Sequence, residues 1–295
     1  MQIGIDLGAT KIESVLLDEN GKEHLREREK SPQDYSKTLT SIKNIVNKIE
    51  KKFAKKFNVG VCHPGSIPSD TELLKNANNS PWLNNKPFQK DISKLLDRTI
   101  YCENDANCFA LSEAKDGSAS HYKIVFGVIL GSGCGGGLVV DKKIISGTNN
   151  LSGEWGHNPL PRITSDASER RCYCGRTNCI ESWLSGPGLS KTYKGFSKKD
   201  LTAEQIVKLY EAGEEDAIKT FSAFFDQLAL ALSVVTNILD PDIIVLGGGL
   251  SNIKSIYTEI PDRLEKLVFS DHFRTKIVKA KHGDSSGVRG AAWLW

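Results

Sequence analysis

The chain has 295 residues, of which 39 are basic and 36 acidic, giving a net charge of +3. So balanced a charge argues against nucleic acid or an anionic membrane as a partner, and 39% apolar with 25% charged residues is ordinary globular composition. At this length two domains with a cleft between them are expected, not one core.

The opening Met1-Gln2-Ile3-Gly4-Ile5-Asp6 reads as a short strand that already carries an acid, so no secretory leader is expected. No apolar run is expected to span a membrane. These features predict a cytoplasmic protein, in which seven cysteines serve as thiols and metal ligands and not as a disulfide framework.

In chain order, a strand at 3–7 runs into Gly8-Ala9-Thr10-Lys11 and a second strand at 13–18. Asn20-Gly21 signals a turn before a third strand at 24–29. Residues 35–57 have helical periodicity, with Leu39, Ile42, Val46 and Ile49 on one face; the nearby pairs Lys51-Lys52 and Lys55-Lys56 read as a solvated face. A buried strand at 59–62 ends in Pro64-Gly65, a short helix covers 88–96, and a strand at 99–102 leads into Glu103-Asn104-Asp105 and a helix to about 114. Gly117 is the expected hinge. A strand at 125–130, a glycine loop at 131–137 and a returning strand at 138–140 follow. Helices are predicted at 203–212 and 214–239, a buried strand at 242–246 closed by Gly247-Gly248-Gly249, a helix at 253–267, a strand at 276–280 and a last helix from 288. Each half thus has a strand, a glycine turn, a second strand and later helices, which suits a duplicated α/β architecture with a nucleotide between the halves.

Several motifs carry chemistry. Gly8 lets the backbone approach a phosphate, the turn N–H groups and the Thr10 hydroxyl can donate to its oxygens, and Asp6 can hold a hydrated Mg²⁺; a plain hairpin turn is the alternative. Gly131-Ser132-Gly133-Cys134-Gly135-Gly136-Gly137 formally matches G-x-G-x-x-G, but a strand follows where a dinucleotide fold needs a helix, so that match is discounted. No G-x-x-x-x-G-K-[ST] loop exists in the sequence. Asp105, at a strand end, can take a proton from a substrate hydroxyl; alternatively Asn104 or Asp105 simply caps the helix. Cys172, Cys174 and Cys179 with His157 upstream make a closed tetrahedral Zn²⁺ set of the structural kind. Cys62, Cys102 and Cys108 read as small buried hydrophobes. Gly247-Gly248-Gly249 permits close approach to a flat or phosphorylated ligand, or is a helix-entry turn.

Taken in order, Asp6 to Lys11, Pro64-Gly65, Glu103-Asn104-Asp105, Gly131 to Gly137, Glu154-Trp155-Gly156-His157, the cysteine loop and Gly247 to Gly249 resemble the ROK family (repressors, open reading frames, kinases), along the whole chain from Gln2. Within it, the strings at 153–161, 76–78, 82–84 and 279–295 are similar to bacterial manno(fructo)kinases. The resemblance implies an actin-like (ribonuclease H-like) ATPase fold, with a small domain at 1–117 joined by the helix at 287–295, and a large domain at 118–286 carrying a zinc loop at 157–181. It implies ATP with Mg²⁺ at Gly4, Ile5, Asp6, Leu7, Gly8, Ala9, Thr10 and Lys11, at Gly131, Ser132, Gly133, Cys134, Gly135, Gly136 and Gly137, and at Gly247, Gly248 and Gly249. Asp105 is implied as the base. Gly65, Asn78, Asn104, Glu154, His157 and Glu181 are implied as sugar contacts, with His157 also a zinc ligand beside Cys172, Cys174 and Cys179. A homodimer is implied as well. Ala9 stands where the family has glycine, Ser132 where it has threonine, and Asn178 where it has glycine.

The leading expectation is therefore an ATP-dependent hexose 6-kinase for fructose or mannose, with glucose or an N-acetylhexosamine as the alternative. A sugar-sensing repressor of the same family would need a DNA-binding domain, and the phosphate-turn strand already begins at Ile3. An actin-like ATPase without a sugar substrate would not need the Asn104-Asp105 and Glu154/His157 pairs.

Overall fold

The structure is a computed structural model that describes residues 1–163 and 169–295. The chain forms two compact units: Met1–His121, Gly137–Ser152 and Lys281–Trp295 in the first, Tyr122–Gly136 and Gly153–Ala280 in the second. A single division at 117 does not anticipate the return of 137–152 to the first unit.

Unit 1 opens with β1 (Gln2–Leu7), β2 (Lys11–Leu17) and β3 (Glu23–Lys30), followed by α1 (Tyr35–Phe53), β4 (Asn58–His63), α2 (Phe88–Leu96), β5 (Tyr101–Asn104) and α3 (Asp105–Lys115). The sheet order is β3-β2-β1-β4-β5, antiparallel across the first three strands and parallel from β1 to β5. Register puts Asp6 opposite Cys62, Cys62 opposite Glu103, and His63 opposite Asn104. The carboxyl ends of three parallel strands therefore lie level, which is where open α/β sheets bind ligands. The strand read at 99–102 begins two residues later, because its pairing with β4 starts at Gly60 with Tyr101.

Alternation in β1 sorts the two faces. Ile3, Ile5 and Leu7 pack with Ile42, Ile45, Val46 and Ile49 of α1 and with Phe88 and Ile92 of α2. The opposite face is covered by the last helix of the chain, Ser286–Ala292, where Val288 and Ala292 meet Val15 and Leu17, and Ala291 meets Cys62 and Cys108. This helix lies close against α3: a Cβ on Gly290 would stand 1.8 Å from the Cys108 carbonyl oxygen. Gly290→Ala is expected to cost about 2–3 kcal/mol or more, as overpacking at rigid backbone does. A urea titration that puts the variant within roughly 0.5 kcal/mol of wild type, the scatter of ordinary surface substitutions, would show the two helices to be free to separate.

Glu113 of α3 is fully buried. Its carboxylate accepts from Ser118 N at 2.9 Å, Lys281 N at 3.0 Å, His282 N at 3.1 Å and Ser286 Oγ at 3.0 Å. It thus ties the end of the first segment of unit 1 to the start of the last. Gly117 lies against it; a Cβ there would be 2.2 Å from Glu113 Oε2.

The second sheet runs β6 (Ile124–Leu130), β7 (Cys134–Val140), β8 (Lys143–Ile144), β9 (Ile243–Gly247) and β10 (Lys276–Lys279) in chain order, arranged β10-β9-β6-β7-β8. The helices of unit 2 are α4 (Glu181–Leu184), α5 (Gly186–Ser197), α6 (Ala203–Glu211), α7 (Glu215–Leu239) and α8 (Ile256–Glu265), and Ser286–Ala292 of unit 1 is α9. Three readings change. The glycine loop at 131–137 is only three residues long, since β7 begins at Cys134. Helices α4 and α5 fall where none was expected. The helix placed at 253–267 is α8, shortened at both ends to Ile256–Glu265, and a 3-10 turn, Gly249–Asn252, precedes it. In addition α7, 25 residues long with one 18-residue window of mean hydropathy 1.5, is long and apolar enough to cross a membrane by length and composition, against the expectation that no run is. Its Phe221, Phe224, Leu228 and Leu232 are instead buried in unit 2.

Candidate active site

In unit 1 the turn after β1 closes with Gly8 N donating to Lys11 O at 3.0 Å. Ile5 and Leu7 point into the core, so only their backbone is left for a ligand. Gly4 is where α9 packs on β1, a Cβ there meeting the Val288 oxygen at 2.1 Å. Ala9 is not among the residues with positive φ, so alanine is at ease in a position the family gives to glycine. Burial pushes the Asp6 carboxyl above its usual range, against the Cys62 thiol, which donates to Asp6 Oδ1 at 3.3 Å.

The level strand ends place the Asn-Asp pair. Asn104, not Asp105, is the cap of α3: its Oδ1 accepts from Ala106 N at 2.9 Å, and its Nδ2 donates to Gly65 O at 2.9 Å. Gly65 holds φ at +77°, where a side chain would run into Lys75 and Ala77. Glu103 steadies the pair. Its Oε1 accepts from Asn104 N at 2.8 Å and Asn107 Nδ2 at 3.1 Å, and its Oε2 from Ser146 Oγ at 3.0 Å. Sequence reasoning gave Glu103 no role, although it adjoins the motif. Asp105 is the first residue of α3 and is exposed, its Oδ1 accepting from Ala106 N at 2.8 Å. Asn78 is exposed in the loop between β4 and α2.

In unit 2, Glu154, His157 and Glu181 come together around the start of β7. Glu181 Oε2 accepts from Cys134 N at 3.0 Å, which fastens α4 to the glycine turn. Trp155 Nε1 donates to Gly135 O at 2.9 Å, and its ring lies where a Cβ on Gly136 would stand, 2.7 Å away. Gly135 and Gly136 are thus strand residues that seat Trp155, and this anchors the 3-10 turn Trp155–His157. Desolvation and the nearby Glu181 push the Glu154 carboxyl up, against His157. Cys134 joins the buried cysteines, its thiol driven well up by desolvation.

The cysteine loop is drawn together by bridges between Pro159 and Cys179 and between Arg171 and Thr177. Asn178 turns the chain at φ +55°, a conformation asparagine adopts more readily than most residues. His157 Nδ1 stands 3.6 Å from Cys172 Sγ, Cys174 Sγ stands 3.5 Å from Cys179 Sγ, and all four ligand atoms lie within 4.8 Å of one another. A tetrahedral shell with Zn–S about 2.3 Å and Zn–N about 2.0 Å has edges of roughly 3.5–3.8 Å, so the set fits zinc. Desolvation pushes Cys172 up and Cys179 up to about 12, while Cys174, despite some desolvation, is held down by the Arg176 N–H and its neighbouring thiols. The second imidazole nitrogen, Nε2, is 2.8 Å from the Tyr173 hydroxyl, a partner the sequence did not suggest.

A cavity of ≈ 670 Å³ opens in unit 2, within the size range of small-molecule sites. Gly131, Ser132 and Gly249, which the family resemblance gave to ATP, are among the residues that line it. Gly247 is a β9 residue, and Gly248, at φ +80°, packs on the backbone of Leu130. Gly186, Pro187 and Ser190 of α5 and residues 200–205, with Thr202 and Glu204, complete the wall and were missed.

The ROK family description matches residues 2–295. An N-acetyl-D-glucosamine kinase of Citrobacter koseri is 39% identical, over 100% of this chain and 99% of its own length. Among solved structures, a ROK hexokinase from Thermus thermophilus superposes with TM-score 0.88 at 22% identity, covering 99% of this chain and 96% of its own. A ROK glucokinase from Streptomyces griseus, solved with glucose and AMPPNP, gives 0.79 at 21% identity, with 99% and 98% covered. Identities this low speak for the fold, which is the actin-like ATPase fold with two sheets. On the whole-length profile and the end-to-end relatives, the chain belongs to the ROK family and is one of its sugar kinases.

Proposed function

We propose that this chain transfers the γ-phosphoryl group of ATP to the 6-hydroxyl of N-acetyl-D-glucosamine. The observation that carries the sugar is the 39% identity, end to end, with N-acetyl-D-glucosamine kinases, that of Escherichia coli K12 included. It outweighs the short manno(fructo)kinase-like strings, because it runs the whole length of the chain, whereas the strings are four short segments and a sugar pocket is lined by scattered residues. The strings keep fructose and mannose as the second reading.

In this reading Asp105 is the general base. It takes the O6 proton as the O6–phosphorus bond forms and the bond from the γ-phosphorus to the β,γ-bridging oxygen breaks. Its exposure, beside a cap that fixes its backbone, supports the role. Gly65, Asn78 and Asn104 in unit 1 and Glu154, His157 and Glu181 in unit 2 are assigned to sugar hydroxyls. Asn104 and Gly65 act as one piece through their hydrogen bond. The turn from Gly4 to Lys11, the segment Gly131 to Gly137 and Gly247 to Gly249 are assigned to ATP, with base and ribose in the cavity beside Ser132. Asp6 is assigned to a hydrated Mg²⁺ that neutralises phosphate charge; the cation would favour the carboxylate that burial by itself disfavours. His157, Cys172, Cys174 and Cys179 would hold Zn²⁺, which supplies a fixed loop shape and takes no part in the chemistry. Cytoplasmic location and a homodimer belong to the same reading.

The test is a coupled ADP-release assay across N-acetyl-D-glucosamine, N-acetylmannosamine, glucose, mannose and fructose, with NMR of the product. N-acetyl-D-glucosamine is expected to give the highest kcat/KM, by about tenfold or more, the discrimination available to a pocket contact of this size, and a 6-phosphate. A higher value for fructose or mannose installs the second reading. ADP release that no sugar stimulates removes the kinase reading.

A further inference from the structure

Arg170 is 5% exposed, so its charge sits inside unit 2. Its guanidinium carbon lies 3.5 Å from the centre of the Trp183 ring. Nη1 donates to Ser182 O at 3.1 Å and Gly188 O at 2.9 Å, and Nη2 to Thr192 Oγ1 at 3.0 Å. Its backbone N donates to Asn178 Oδ1 at 2.9 Å, and its carbonyl accepts from Asn178 N at 2.8 Å.

One residue therefore joins three pieces. Asn178 is the base of the cysteine loop, next to Cys179. Ser182 follows Glu181 on α4. Gly188 and Thr192 belong to α5, whose Gly186 and Pro187 form part of the cavity wall. A hydrophobic side chain could fill this volume at less cost in desolvation. What it could not supply is a rigid planar fork that fixes two carbonyls and a hydroxyl at once while stacking on an indole.

We propose that Arg170 is a positioning residue that locks the first turns of α5 to the cysteine loop, so that the loop holding Glu181 and the metal ligands also holds the wall of the nucleotide cavity. The inference rests on that cavity being the nucleotide site. It makes the loop's metal a determinant of nucleotide affinity, although neither the metal ligands nor Arg170 is assigned to the nucleotide.

The experiment uses the full chain, wild type, Arg170→Met and Arg170→Lys, each as purified and after removal of zinc by a chelator that is then dialysed away. Calorimetry with Mg·ADP gives affinity, and amide hydrogen exchange gives the order of 186–192. In the as-purified protein, Arg170→Met is expected to weaken Mg·ADP about tenfold, the worth of a charge-assisted hydrogen bond, and to speed exchange in 186–192 while leaving 1–121 unchanged. Arg170→Lys should recover part of both. Zinc removal should weaken Mg·ADP in the wild type and add little in Arg170→Met, because the link is already cut. Unchanged affinity and exchange in Arg170→Met, or additive effects of metal and mutation, overturn the proposal. If wild-type protein binds no Mg·ADP, the nucleotide assignment falls and this inference with it, whereas the exchange data still report whether Arg170 orders α5. Should Arg170→Met fail to fold, Arg170→Lys and Thr192→Val carry the same measurements, and faster exchange confined to 186–192 supports the link while unchanged exchange overturns it.

Discussion

Asp105→Asn is expected to turn over roughly 10²–10⁴-fold more slowly than wild type, the usual worth of a positioned base, with sugar affinity much less affected. The substitution preserves size and the ability to accept from Ala106 N at the helix start. It also leaves the cap of α3 untouched, because that cap is Asn104. Stability should therefore hold while kcat collapses. Asn104→Ala is the control. It removes the cap and the tie to Gly65, and should cost about 0.5–2 kcal/mol of stability. Measuring kcat, sugar Kd and Tm for both variants separates proton transfer from capping. Near-wild-type turnover in Asp105→Asn would take Asp105 out of the mechanism.

Removing the metal should have the next largest effect. Cys174→Ala leaves two thiolates and an imidazole at interatomic distances suited to a tetrahedral ion. If the site holds zinc as proposed, its loss would release a segment that holds Glu181 against the glycine turn. Structural zinc binds zinc-finger peptides with roughly 10–16 kcal/mol, most of it folding energy. Here the surrounding unit is already folded, so only the loop's share is at stake. A loss of about 2 kcal/mol, lowering Tm by roughly 4–8 °C for a domain of this size, is expected together with a fall in activity. Metal analysis and calorimetry decide it. Purified protein without zinc, or a Cys174→Ala variant with unchanged Tm and turnover, would rule out a structural ion.

What was legible in the sequence was local. The turn after β1, the Asn-Asp pair and the cysteine spacing each carry their chemistry within a few residues. The cavity wall was not, since it is assembled by packing from α5, the start of α6 and Gly249. Helix α5 was hidden by Gly186-Pro187-Gly188, which reads as a breaker. In fact proline occupies the first turn, where its missing N–H costs nothing, and Ser185 caps the helix by accepting from Gly188 N at 3.1 Å. Composition also misled at Gly135 to Gly137. Three glycines suggest a loop, yet they lie in a strand, with Gly136 pressed against Trp155 and Gly137 against α3, where a larger side chain has no room. The fructose or mannose expectation rests on short strings at 76–78, 82–84, 153–161 and 279–295, whereas the lining of a sugar pocket is spread along the chain.

The arrangement of unit 1 also fixes an order of assembly in the cell. Its strands β1 (Gln2–Leu7) and β4 (Asn58–His63) lie near the start of the chain, but the helix that covers one face of them, Ser286–Ala292, is among the last residues. As the chain is made, Val15, Leu17 and Cys62 have no cover until α9 arrives, and the buried Glu113 lacks three of the partners described here, Lys281, His282 and Ser286. Unit 2, whose last residue is Ala280, is complete sooner. At roughly 5–20 residues per second, the nascent first unit carries an open apolar face for many seconds, and this is the interval in which a chaperone would engage it.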